Sequence, residues 1–485
     1  MDPSVNYSTY EFYTEILNTF LVLFSTQLRQ SNLKQQLNYF LNILLTKFGK
    51  RAETMVARLL ENIIEQRPPP PQSSSVMHTA YNYFFAARAN TSYVDASPVA
   101  DRSLLILLLL GSQPAKNDNS EWTKSYRLAI ANLSDHHVIS SDIDGCDRKM
   151  HLISFKNLFQ IFSKSLHSEE KMLLFYLILV ENEAFRVYVL SRIDQETIFL
   201  PMLKLIYESM EAGKTRYSQV YILMVIILIL SQDDVNNEAI QKIIVHNTTW
   251  FTERPLLKSI SLGGLMTLVL IRVLQLNLSH QKDIYLHTTS LAILMNMSNT
   301  MSDMHANVAQ RFISLFELLA RRYIKLTEKQ TMPDAIVYED ILVLLLEIIN
   351  STLSHRLKHN SQLVYALLQK REIFNPFQNH PRFSDLVTNL EQIIYHFNTR
   401  VSEANLRAPS SNEVLKLIEQ ASRTWSNQKL ISLQTLKFHY KEEQDSYEFF
   451  IPYIWALVQR RSFIYWSEEK CHIIDNYHLM NEETE

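Results

Sequence analysis

The chain has 485 residues with 47% hydrophobic and 20% charged residues, a formal net charge of −3, 6 Gly and 2 Cys. Glycine lies far below its average share of about 7%, which excludes most tight hairpins and the glycine-rich nucleotide loops, since both need positive φ. The near-neutral charge without a long basic stripe excludes a nucleic-acid footprint, and Cys146 and Cys471, far apart and outside any CxxC, exclude a secreted disulfide framework.

Apolar residues recur at helical spacing from end to end. The first predicted helix runs from about Tyr10 to Arg29, with Phe12, Ile16, Leu17, Phe20, Phe24 and Leu28 on one stripe. The next covers about Leu33 to Lys47, and a third about Ala52 to Glu65. There is no basic region followed by an apolar one at the start of the chain, so no signal peptide is expected. "RPPPPQSSS", Arg67 to Ser75, then stops the helical pattern and reads as a stiff connector, with an SH3- or WW-type ligand as the functional alternative.

Further helices are predicted at about 102–111, 121–133, 152–166, 168–182, 184–193, 197–212, 216–231, 236–246, 255–277, 283–297, 304–326, 335–357, 360–371, 382–402, 411–424 and 446–461. No strand-like alternation persists. Helices come about 20 residues apart and pairs about 40, the scale of HEAT and armadillo units. Several, such as Tyr221 to Leu230 and Ile341 to Ile349, are apolar on most faces and belong between layers. The expected fold is therefore all-α, an α-solenoid of irregular HEAT/armadillo-like helical repeats. The expected organisation is N-terminal helical repeats over 1–66, a Pro-rich linker and irregular segment over 67–101, a main solenoid over 102–466 and an acidic tail over 467–485.

Chemistry is hard to place on this chain. The loop "SDHHVISSDIDGCDRK", Ser134 to Lys149, holds His136, His137, Asp142, Asp144, Cys146 and Asp147. Gly145 follows Asp144 at once, so an EF-hand register fails, and no HExxH or GxSxG occurs. No catalytic, metal-binding or cofactor-binding residue is assigned, and no cofactor is expected. His246 and His287 lie within apolar patterns and read as structural.

"WFTERPLLKSISLGGLMTLVLI", Trp250 to Ile271, admits three readings. A membrane span needs about 20 uninterrupted apolar residues, and Arg272 closes this run. A phosphate cradle needs a strand and a different glycine spacing. The remaining reading is a buried helix entered through Arg254-Pro255, with Pro255 in its first turn and Gly263-Gly264 allowing close packing. No transmembrane segment is expected. Seven N-x-S/T sequons, including Asn277, Asn296 and Asn350, carry no weight in a chain without a secretory signal.

That stretch, extended to Asn247–Asn277, resembles the signature block of the dymeclin family. "RPPPP" (Arg67–Pro71), "YRLAI" (Tyr126–Ile130), "YLHTTSLAILMNMS" (Tyr285–Ser298), "AQRFISLFELL" (Ala309–Leu319), "EIINSTL" (Glu347–Leu353), "LVYALLQKREIF" (Leu363–Phe374) and "EFFIPYIWALV" (Glu448–Val458) resemble further family blocks in the same order. The resemblance runs from the first helix to about Trp466. It implies a cytoplasmic, non-enzymatic scaffold, peripherally associated with the cytosolic face of the Golgi and supporting its organisation and secretory traffic. The implied partners are other proteins, Golgi-associated tethers or trafficking factors. Members begin with a longer N-terminal region whose Met-Gly start suits myristoylation. This chain starts Met1-Asp2-Pro3, so the expectation is that the region and its lipid signal are missing and that the first helix exposes an apolar face. A peptide-binding cargo or coat adaptor not tied to Golgi structure is the alternative, and it predicts a ladder of polar and aromatic side chains along one groove. Candidate partner contacts are Trp250, Arg254, Phe449, Phe450 and Pro452, each with packing or helix capping as its competing role.

Overall fold

A computed structural model describes residues 6–29, 38–70, 97–113, 125–135, 152–210, 217–329, 332–405, 407, 409–443, 445–462, 464 and 466. The chain is all-α, with 19 α-helices and four strands of two or three residues among the described residues. The loop residues 136–151, most of the Pro-rich linker and the tail beyond 466 lie outside the described residues. The chain packs as two compact units, one formed by Met1–Val189 with Lys441–Glu485 and the other by Leu190–Tyr440.

The first unit contains α1 (Tyr7–Phe24), α2 (Tyr39–Thr46), α3 (Ala52–Glu65), α4 (Pro98–Gly111), α5 (Ser125–Ala131), α6 (Phe155–Ser165), α7 (Glu169–Glu181), α8 (Glu183–Leu190) and α19 (Tyr447–Arg461). The run Leu104–Leu110 makes α4 greasy all round, and every one of these leucines and Ile106 is at most 4% exposed. Such a helix must be surrounded, and α4 is packed by α1, α3, α7 and α19. Its start is fixed locally: Ser97 caps the amide of Ala100 and Pro98 opens the first turn. The Arg67 carbonyl accepts from the hydroxyls of Tyr10 (3.1 Å) and Ser97 (2.7 Å), which ties both ends of the linker to the start of α1. That anchor turns α1 so that Tyr10, Leu17, Leu21 and Phe24 are buried. Phe12 (55%) and Ile16 (36%), expected on the inward stripe, are exposed instead.

The second unit contains α9 (Glu196–Ser209), α10 (Tyr217–Leu230), α11 (Asp234–Lys242), α12 (Leu262–Leu276), α13 (Ile284–Ser298), α14 (Ala306–Glu328), α15 (Met332–Arg356), α16 (Ser361–Gln369), α17 (Ser384–Glu403) and α18 (Ser411–Arg423). Two rows of helices result. In one, α10, α13, α15 and α17 pack side by side; in the other, α9, α12, α14, α16 and α18 do. Cross-packing of α9 on α10, α12 on α13, α14 on α15 and α16 on α17 joins the rows. Helices α10 and α13, apolar on most faces, are enclosed between these neighbours.

The stretch preceding α12 departs from the sequence expectation. The predicted helices at 236–246 and 255–277 stop at Lys242 and start at Leu262, because two short strands intervene. In the first unit β1 (Ser134–Asp135) pairs parallel with β2 (Leu152–Ile153); here β3 (Ile244–His246) pairs antiparallel with β4 (Ser259–Ser261), Val245 opposite Ile260. Val245 and Ile260 point inward while their neighbours are more exposed, a period of two that the surrounding apolar run conceals. Pro255 lies in the intervening loop after a cis peptide bond, and Ser261 caps α12 through the Gly264 amide. A strand does therefore precede Gly263-Gly264. A Cβ on Gly263 would collide with the side-chain amide of Gln241 on α11, so the first glycine serves close packing. Leu262–His280 is long and apolar enough to cross a membrane, yet 78% of its apolar stretch is buried within the protein.

His287 is buried on α13 and its Nδ1 lies 3.5 Å from the Asn277 side-chain amide, while His246 is exposed in β3. Burial holds the His287 imidazole below the ordinary histidine range, against a smaller opposing pull from Asp283. The unfolded chain then binds a proton that the folded chain resists. Stability is expected to be unaffected above about pH 6.5 and to fall as pH drops below it. Urea unfolding at pH 7.5, 6.5 and 5.5 should show this loss, and His287→Gln should flatten it.

Candidate interaction sites

The loop between β3 and β4 is held by charges and rings. Tyr207 of α9 contacts Trp250 (ring centroids 5.5 Å apart) and Phe251 (5.1 Å), and its hydroxyl accepts from the Thr252 amide at 3.3 Å. The Arg272 guanidinium lies 4.2 Å over the Tyr207 ring and donates to Glu253 at 2.6 Å. Arg311 reaches the other oxygen of Glu253 and donates to the Arg254 carbonyl at 3.1 Å. Glu253 therefore bridges α12 and α14. Among the described residues the Nε of Arg272 is buried without a partner. Trp250 is half-buried and Arg254 is exposed, its carbonyl being the engaged group.

The other candidate contacts lie on α19 in the first unit. Phe450 is 7% exposed and stacks on Tyr176 at 5.2 Å. Pro452 is buried, and Phe449 is half-buried with its ring against Phe450 and Tyr453. Packing thus occupies Phe450 and Pro452, while Trp250, Arg254 and Phe449 keep accessible surface. Trp250 and Arg254 share one loop, and the three α19 residues share one helix.

A second arrangement in the Leu190–Tyr440 unit escaped the sequence reading. After α18 the chain stays non-helical from Leu430 to Tyr440 and crosses the row formed by α13, α15 and α17. Asn389 on α17 holds one end: its side-chain NH2 donates to the Ile431 carbonyl at 3.0 Å, and its Oδ1 accepts from the Ile431 amide at 2.7 Å. Asn296 on α13 repeats the pair with Phe438, at 2.9 and 2.8 Å. Seven residue steps at about 3.3 Å span about 23 Å, enough to cross two helix spacings of about 8–10 Å each, so the segment is stretched. Lys437 pairs with Asp234 at 3.0 Å beside the start of α11.

Between this segment and α15 lies a cavity of about 340 Å³, lined by Met295, Glu347, Ser351, His355 and residues 430–435. Burial pushes the Glu347 carboxyl above the ordinary range. Among the described residues Glu347 makes no hydrogen bond or ion pair. No group of three His, Cys, Asp or Glu side chains among the described residues could hold a metal ion.

The family model described as "Dymeclin: Dyggve-Melchior-Clausen syndrome protein" matches residues 2–457. The chain belongs to the dymeclin family. Dymeclin from Gallus gallus is 33% identical over 499 residues, covering 95% of this chain and 73% of the relative. Dymeclin from Mus musculus is 33% identical over 504 residues, covering 95% and 74%. Dymeclin from Xenopus laevis is 36% identical over 395 residues, covering 77% and 57%. No solved structure matches the chain.

In this dymeclin-family chain the signature block Asn247–Asn277 thus folds as loop, strand and helix around the Glu253 bridge. The asparagine pairs had a sequence signal of their own. Asn296 stands in "LAILMNMS", a polar amide inside an apolar helix, and Asn389 in "DLVTNLEQII", a polar amide on the apolar face of an amphipathic one. Asparagine is a poor interior helix residue, and a buried one needs partners. Asn296 and Asn389 are 2% and 0% exposed. The same burial covers the sequon asparagines 277, 296 and 350, which leaves none of the three open to a glycan in the folded chain.

Proposed function

We propose that this chain is a non-catalytic scaffold, an α-solenoid of irregular HEAT/armadillo-like helix pairs, that supports Golgi organisation and secretory vesicle traffic through protein contacts. It would act in the cytoplasm, peripherally on the cytosolic face of the Golgi, with tethers or trafficking factors as partners. Membership in the dymeclin family is the observation that carries this reading. The side-by-side rows of α13, α15, α17 and α12, α14, α16 support the helix-pair architecture. Depletion of the protein should disperse or swell the Golgi, and the tagged chain should enrich there by imaging. Normal Golgi morphology after depletion, with the tagged chain diffuse throughout the cell, would overturn the reading.

A second reading, a peptide-binding adaptor of intracellular transport, is favoured by one specific observation. Asn296 and Asn389 bond to main-chain groups of a stretched segment, which is how a surface reads an extended peptide regardless of its side chains. Affinity capture that returns transport receptors in place of Golgi tethers would select this reading over the first.

A further inference from the structure

We propose that the face of α13, α15 and α17 is a receptor for an extended, lysine- or arginine-bearing segment of another protein, and that residues 430–440 occupy it in cis as a displaceable strap. The inference rests on the peptide-adaptor reading and deepens it, naming the ligand class and its competitor.

Three features separate the strap from an ordinary packed loop. No residue from Leu430 to Tyr440 is buried, and Ile431 is 40% exposed. Leu430, Leu433, Leu436, Phe438 and Tyr440 are half-buried and the other strap residues are exposed, so release gives up the polar contacts and only part of the apolar burial that a core segment would lose. Its contacts at both ends are paired amide bonds from Asn389 and Asn296 to backbone N–H and C=O of a single residue each. Any non-proline residue offers the same two groups, so the receptor side does not depend on the strap's own sequence.

The third feature is charge. Two carboxylates lie along the strap, Glu347 on α15 of this face and Asp234 at the neighbouring start of α11. Asp234 is answered by Lys437 at 3.0 Å. Glu347 is not answered: the strap places Ser432, Leu433, Gln434 and Thr435 around the shared cavity and no cation. A carboxylate kept half-buried without a partner is costly. The strap is therefore an incomplete occupant. A segment with a second basic residue, three to five positions before the one facing Asp234, would pair both acids. That extra pair is what lets a free ligand compete with a tethered strap, whose effective concentration is on the order of millimolar.

The test uses the full chain and two labelled peptides read by fluorescence anisotropy. One carries the strap sequence Lys429–Tyr440, and the other is the same with Lys in place of Gln434. In the protein, Phe438→Pro removes the N–H that Asn296 accepts and should free the strap without unfolding the unit. Unchanged thermal melting and faster hydrogen exchange across 430–440 would report that state. The Lys peptide should bind the Phe438→Pro chain at least tenfold tighter than the unaltered chain. It should bind that variant at least fivefold tighter than the strap peptide does, and Glu347→Gln in the same background should erase this preference. A freed strap without gain in binding overturns the proposal, as does a strap that stays protected in Phe438→Pro. An equal affinity for both peptides overturns the role of Glu347. None of these outcomes bears on Golgi imaging, so failure here is distinguishable from failure of the scaffold reading.

Discussion

Trp455→Ala should destabilise the Met1–Val189/Lys441–Glu485 unit by about 3–5 kcal/mol, the range for removing a large buried aromatic. The side chain is 1% exposed, and its indole N–H donates to Gln27 Oε1 at 2.9 Å. Gln27 in turn donates to Gln113 Oε1 at 3.0 Å, and Gln113 to the Leu109 carbonyl at 2.8 Å. The substitution opens a cavity and also leaves a buried acceptor unpaired, and both effects have the same sign. Trp455→Phe separates them: most of the volume stays, Gln27 Oε1 is orphaned, and a loss of about 1–3 kcal/mol is expected. Chemical denaturation followed by circular dichroism would measure both. A Trp455→Ala loss below about 1 kcal/mol would mean that α19 is not part of this core.

Glu253→Ala is the second large effect, expected at about 2–4 kcal/mol in the Leu190–Tyr440 unit. One carboxylate answers two arginines there, and Glu253, Arg272 and Arg311 have side chains only 15%, 21% and 30% exposed. An exposed pair would be worth at most about 1 kcal/mol. Stranding a buried charge costs about 3–5 kcal/mol, and partial exposure places this site between the two. Arg272 cannot simply move to water, because its guanidinium is seated over Tyr207 and its Nε is already buried unpaired. Adding Arg272→Met to Glu253→Ala should recover part of the loss, since the stranded cation is then gone. No recovery in that double variant would place the energy in the loop backbone instead.

The helical content was legible where an amphipathic helix repeats its apolar residues every three to four positions, as at Ala52–Glu65. The run Leu104–Leu110, apolar all round, has no such period and shows only that its helix must be enclosed. The entry to α12 was not legible. In Val245 and Ile260, strand alternation lasts only three residues on each side, too short to stand out from the apolar residues that follow. The orientation of α1 was also hidden. Phe12 and Ile16 fit a helical stripe as well as Leu17 and Leu21 do, and the choice was made by the Tyr10 hydroxyl reaching Arg67, 57 residues away.

The candidate sites divide the same way. The signature block could be quoted from the sequence, but the residue that organises it, Glu253, could not, since nothing local marks one acid between two distant arginines. Asn296 and Asn389 carried a local mark, a polar amide among the apolar residues of a helix, which states that a partner is needed and not which one. By itself the sequence determined the helices, the scarcity of turns and the family, because each depends on residues near one another or on ordered blocks. Only the tertiary structure decided that the chain returns at Lys441 to the unit it left at Val189, and that residues 430–440 lie across α13, α15 and α17. The return rests on contacts such as Trp455 to Gln27, 428 positions apart, and the strap on hydrogen bonds between residues 42 and 142 positions apart; no periodicity in a sequence encodes which distant group a side chain will meet.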